Sequence, residues 1–234
     1  MRRFINILKW DTVLMAKYGI ITIAFIISAI YCIALQFADM TGLEKVVAVL
    51  VFSDPVMYGF LFTAAMILFE KEAMTHLAIA VTPLPVSHYL LSKTVTFTLL
   101  AFICSTAIIL SAHPHYFNVG WFISAVILSS VLFIFIGVIG VSFVQNFNQF
   151  IILMPIVLAP TCLPFLSYFD VVSWGWLYLI PSQACLILFS ASVGPVESWQ
   201  LIYALCYLVV CIVAGGYFAG KAYLKQLQKS IRHA

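Results

Sequence analysis

Charge is what this chain has least of. Among 234 residues there are 8 Asp and Glu and 11 Lys and Arg, so 8% are charged, while 65% are hydrophobic and mean hydropathy is +1.14. A soluble domain carries about a quarter charged residues, so this scarcity excludes one, and it leaves no basic face for a nucleic-acid partner. Catalytic and ligand signatures are also missing. The six cysteines (Cys32, Cys104, Cys162, Cys185, Cys206 and Cys211) stand singly among apolar neighbours, with no C-x-x-C pair to hold a metal or run redox chemistry. No H-E-x-x-H helix and no nucleophile motif occurs. Gly215 to Ala222 mimics a phosphate-binding loop, but Ala222 stands where a hydroxyl would hold the metal ion, and the stretch ends an apolar run. Gly216 and Gly220 instead give a small-xxx-small spacing for close helix packing. Arg2 and Arg3 open the chain, yet the first long apolar run starts only at Tyr18 and ends without a small-residue cleavage site, so no cleaved signal peptide is expected.

What is present is apolar run after apolar run. Stretches free of Asp, Glu, Lys and Arg cover about 18 to 36, 55 to 69, 94 to 112, 119 to 142, 150 to 168 and 198 to 220. A hydrocarbon layer about 30 Å thick needs about 20 residues of helix, and lipid allows no unpaired backbone. The expected fold is therefore an all-α integral membrane protein of six transmembrane helices in one domain. Read this way, no run holds an ionisable Asp, Glu, Lys or Arg at mid-depth, where ion-coupled carriers place their relays. Energy for uphill transport would then have to enter from outside the spans.

The basic residues set an orientation. With the N-terminus in the cytoplasm, ten of the eleven fall inside, Lys45 alone outside, and both termini are cytoplasmic. Residues 1 to 17 read as an interfacial helix, with Phe4, Ile7, Leu8, Trp10, Leu14 and Met15 opposite Arg2, Asn6, Lys9 and Lys17, and with Arg3 and Asp11 blurring the stripe. Ser53-Asp54-Pro55 reads as a helix start, Asp54 capping and Pro55 first in the helix; a buried functional carboxylate is the alternative. Residues 170 to 197, broken by Trp174, Gly175, Trp176, Pro181, Gly194 and Pro195, suit either a re-entrant outer hairpin or a loop with an amphipathic helix.

The segment FEKEAMTHLAIAVTPLPVSHYLLSK at 69 to 93 is the one sizeable interior loop with charge. Glu70, Lys71 and Glu72 close the second span, and Thr82-Pro83 starts a short helix through Tyr89 and Leu91 to Lys93. Glu70-Lys71-Glu72, Thr75, Leu77, Thr82-Pro83-Leu84, Leu90, Leu91 and Lys93 resemble the signature after the second span of type-two ATP-binding-cassette exporter permeases. Phe52 to Pro55 further resembles the fluoroquinolone export permease subgroup. Met74 and Ala78 depart from the signature. The resemblance implies a cytoplasmic coupling helix gripped by ATPase subunits, with Glu70, Lys71, Glu72, Thr75, Thr82, Pro83, Leu84 and Lys93 at the coupling site. It implies a second permease copy or relative, ATP and Mg bound only by the partner ATPase, and a bacterial inner-membrane location. It also implies a pathway along the second and fifth spans, here Met57, Tyr58, Phe62, Met66, Met154 and Thr161, with Pro155, Pro160 and Pro164 kinking the fifth.

Other readings stay open at this point. His113 and His115 with Asp170 could ligate a metal in an intramembrane enzyme, although loop histidines at the interface are the simpler account. A haem-maturation permease has a similar size, and a passive channel or scaffold would make Glu72 and Thr82 dispensable. Drug-like compounds, lipids, peptides and haem all suit an apolar path.

Overall fold

A computed structural model describes residues 2–37, 44–73, 85–112, 117–172 and 174–232. Every regular element among the described residues is helical, as lipid requires. The N-terminal helix Arg2–Lys17 meets the first span, Ile20–Gln36, at a 65° bend. Gly19 makes that bend with φ +72, a left-handed conformation that side chains disfavour. The second span runs over Lys45–Glu72, the third over Val86–Ala112, the fourth over Val119–Ser142, the fifth over Phe147–Tyr168 and the sixth from Ser198 to Arg232. Five of these are long and apolar enough to cross a bilayer, and the seventeen-residue first span makes a sixth only when taken together with the N-terminal helix bent against it. At 1.5 Å per residue those seventeen reach about 25 Å, near the lower limit for spanning.

Two sequence expectations are corrected here. Asp54 and Pro55 do not start a helix: the helix begins ten residues earlier at Glu44 and carries both inside it. Proline is tolerated because a membrane helix can re-satisfy its backbone locally, and directly after Pro55 the second span widens into a π-helical stretch, Met57–Phe62. Tyr89, Leu91 and Lys93, expected in a short helix begun at Thr82-Pro83, belong to the third span; the expected start lies outside the described residues. From Val86 that span runs with no break at Lys93.

The second and fourth spans touch backbone to backbone. A Cβ on Gly137 would sit 2.8 Å from the Phe60 carbonyl oxygen, and one on Gly59 would sit 2.8 Å from Phe133 Cβ. Only glycine allows this approach. Gly215 and Gly216 accept the Phe135 ring of the fourth span at 3.6 and 3.2 Å from their would-be Cβ atoms, whereas Gly220 has nothing within 4 Å. Half of the expected small-residue pair is thus a packing site.

Residues 168–172 and 174–193 fold against the bundle. The Tyr203 and Tyr207 hydroxyls of the sixth span donate to the Tyr178 and Leu179 carbonyls. Tyr207 lies nine residues along its helix from Ser198, about 14 Å deep. The chain then returns as the short helix Pro181–Val193, buried almost throughout, and Ser192 accepts from the Asn118 amide at the mouth of the fourth span. Burial on all sides is not that of a surface amphipathic helix. Phe52 plugs the centre, its ring edge-on to Phe133, Phe165 and Phe189, each at 5.9 Å.

Lys45 and Asp170 pair at the rim, with side chains 49% and 82% exposed. Exposed pairs contribute about 0–1 kcal/mol. Asp170→Asn is therefore expected to leave the melting temperature of the detergent-solubilised protein within measurement error, and a shift of many degrees would show the pair to be structural.

Candidate functional site

The opposite end of the bundle holds the molecule's charged interior. Lys93 is 0% exposed, Glu70 3% and Asp11 4%. The Lys93 ammonium donates to Asp11 Oδ1 at 2.7 Å and to Glu70 Oε1. Ser92 Oγ donates to Asp11 Oδ2 at 2.5 Å, and the Tyr89 hydroxyl to Glu70 Oε2 at 2.6 Å. The Tyr89 ring stacks on Tyr223 of the sixth span with centroids 4.6 Å apart, and Lys93 lies 5.1 Å from the Tyr89 centroid. One cation shared by two carboxylates, with remaining lone pairs met by hydroxyls, satisfies what burial of ions demands. Four elements meet there: the N-terminal helix and the second, third and sixth spans.

Local sequence explains how each side chain arrives. Phe4, Leu8, Asp11 and Met15 recur at helical spacing on the packed stripe of the N-terminal helix. Asp11, expected to blur that stripe, is its centre, while Trp10 faces away, 66% exposed. Phe4 meets His88 edge-on at 6.2 Å, and Tyr18 packs on Phe69 at 4.9 Å. Tyr89 and Lys93 stand four residues apart and share a helix face. Lys71 donates to the Val141 and Val144 carbonyls at 3.3 and 3.1 Å, closing the end of the fourth span.

Of the residues expected at the coupling site, Glu70 and Lys93 are thus buried and face each other, Lys71 is half-buried on the fourth span, and Glu72 is exposed. Thr75, Thr82, Pro83 and Leu84 lie outside the described residues, as do His113 and His115. Asp170, the third member of the suggested metal set, is engaged by Lys45. Asp11, Ser92, Tyr89 and Tyr223 escaped sequence reading. Their signals were a carboxylate on an apolar stripe and a Tyr-x-x-x-Lys pair.

The expected pathway residues divide. Tyr58 and Met66 are fully buried within this chain, Tyr58 donating to Ala24 O at 3.3 Å and stacking on Phe62 at 5.4 Å. Met57, Phe62, Met154 and Thr161 are half-buried. The Thr161 hydroxyl donates to Leu158 O at 2.7 Å, its hydrogen held inside its own helix.

Two curated proteins of Mycobacterium tuberculosis are similar to this chain, the fluoroquinolones export permease proteins of strain CDC 1551 / Oshkosh and of strain ATCC 25618 / H37Rv. Each is 29% identical over 175 residues, covering 72% of either chain. The family model described as the Fluoroquinolones export permease protein family matches residues 2–229, which takes in the N-terminal helix, all six spans and the buried ion cluster. By that match, the chain belongs to the fluoroquinolones export permease family.

Proposed function

We propose that this chain is the membrane-spanning subunit of an ATP-driven exporter of the bacterial inner membrane, carrying an apolar or amphipathic small molecule out of the cytoplasm. Two cytoplasmic ATPase subunits, which bind ATP and Mg, and a second permease, identical or related, complete it. The family match supports export by a permease. The observation that carries the coupling is the Asp11–Lys93–Glu70 cluster. Glu70 and Lys93 are the two roots of the segment through Thr75, Thr82, Pro83 and Leu84, and their ion pair fuses those roots into one block with the N-terminal helix.

A push delivered to that segment, and to Glu72 beside it, therefore moves a rigid unit instead of a slack loop. Tyr89 passes the displacement to Tyr223 and the sixth span, and the third span moves as one helix from Val86. Glu70 and Lys93 act in this account by holding the block together, not by touching the ATPase. The half-buried Met57, Phe62, Met154 and Thr161 offer a soft, apolar surface for cargo, methionine adapting to varied shapes. Basic residues concentrated at this end support a cytoplasmic orientation for it.

Reversing an exposed charge at the docking face tests the reading. Glu72→Arg is expected to reduce co-purification of the proposed partner ATPase about tenfold or more, from a loss of ~1.4 kcal/mol or greater in binding, while the permease itself stays folded and in the membrane. Unchanged capture of the ATPase would remove Glu72 from the interface.

A further inference from the structure

Asp54 sits in the second span, nine residues in from Lys45, which is about 14 Å along the helix from the rim. It is 1% exposed, and its Oδ2 has no hydrogen-bond partner. No ion pair reaches it among the described residues. The Tyr58 and Ser105 hydroxyls lie beside it, and Tyr58 OH in turn lies 3.0 Å from Ser28 Oγ. The titratable groups facing it are the Tyr58 phenol and the Cys104 thiol. The first and fourth spans and the short helix Pro181–Val193 contain no Asp, Glu, Lys, Arg or His. Lys93, on the third span with Cys104, is eleven residues away, about 16 Å, and is held by Asp11 and Glu70.

A carboxylate with no cation, in a low-dielectric interior, cannot keep its charge: it neutralises instead. The carboxyl also borders an irregularity that can move. Pro55 follows it, and the π turn Met57–Phe62 begins after one intervening residue, a form found frequently at functional sites. Removing one residue from that turn to restore α geometry would rotate the half of the span bearing Asp54 by about 100° relative to the half bearing Glu70. Gly59 and Gly137 let the backbone turn against the fourth span without side chains in the way.

We propose that Asp54 is a proton-binding site of this permease: it carries its proton in the packing described here, and exchanges it with water when the π turn rewinds and turns the carboxyl away from Tyr58 and Ser105 toward a water-filled opening. The coming and going of the proton adds or removes one negative charge inside the second span, so the two packings of the span differ in charge. The proposal stands apart from the source of energy for transport, because proton binding at Asp54 follows from the burial of the acid alone.

Infrared spectroscopy of the full-length protein in phosphatidylcholine vesicles at neutral pH tests it. The wild type is expected to show a protonated-carboxyl C=O band that shifts to lower frequency when aspartate is carboxyl-labelled with carbon-13. That band is expected to vanish in Asp54→Asn. Absence of the shifting band in labelled wild type overturns the proposal, and this arm needs no variant to fold. Persistence of the band in Asp54→Asn assigns it to another aspartate and overturns it equally. In cells, Asp54→Asn, which keeps the shape of the neutral acid, is expected to flatten the several-fold change in export between mildly acidic and mildly alkaline medium; a pH profile parallel to wild type contradicts the exchange.

Discussion

Lys93→Met is expected to be the most damaging single substitution in the chain. Lys93 is the cation shared by Asp11 and Glu70, all three being buried. Breaking a buried pair costs about 3–5 kcal/mol because an uncompensated charge stays behind, and here two carboxylates lose their partner at once. The volume of the side chain is nearly kept, so the loss is electrostatic. Thermal unfolding in detergent measures it, together with the fraction of protein that reaches the membrane. Asp11→Asn should cost distinctly less, since Lys93 then still pairs with Glu70 and the amide oxygen can accept from Ser92. The triple substitution Asp11→Leu, Glu70→Met, Lys93→Met removes every charge and should recover much of the stability, yet leave ATPase-dependent export impaired if the cluster transmits force. A Lys93→Met protein as stable as wild type would refute the arrangement of charges.

Gly137→Leu is the second large effect. The would-be Cβ at this position already falls 2.8 Å from the Phe60 carbonyl oxygen and 3.1 Å from that of Gly59, both backbone atoms that no rotamer change can move. Overpacking a tight core costs about 1–3 kcal/mol and sometimes more, and the backbone contact puts this site at the upper end. The second and fourth spans must part, taking with them the π turn beside Asp54. Gly220→Leu is the control, with open space around its Cβ position, and is expected to be close to neutral. Equal melting temperatures for the two variants would show that the second and fourth spans do not pack at Gly137.

The spans were legible because their signal is additive: twenty apolar residues read as a crossing whatever their neighbours do. The helical class and the export permease family were legible for the same reason, the latter through the spacing from Glu70 to Lys93. What failed were signals whose meaning depends on depth. Ser-Asp-Pro is a good helix start in water, but in lipid a helix tolerates proline and continues, so the motif points to a rim while Asp54 lies inside. The same shift undoes the expectation of a bundle without interior charge. Asp11 was read as noise on an apolar stripe because its partner, Lys93, lies 82 residues away, beyond any local pattern. Gly59 and Gly137 carry no motif between them; only the fold brings them together. Thr75, Thr82, Pro83 and Leu84, on which the family resemblance partly rests, fall outside the described residues.

In the proposed function, export is powered by a soluble ATPase acting on the end of the bundle held by Asp11, Glu70 and Lys93. Uptake of a fluorescent apolar cargo into inside-out vesicles, with this chain present and the proposed partner ATPase either co-expressed or omitted, tests this. The account predicts ATP-dependent accumulation only when both proteins are present, abolished by a catalytically dead ATPase. Accumulation driven by an imposed proton gradient, with this chain alone and no ATPase, would contradict it.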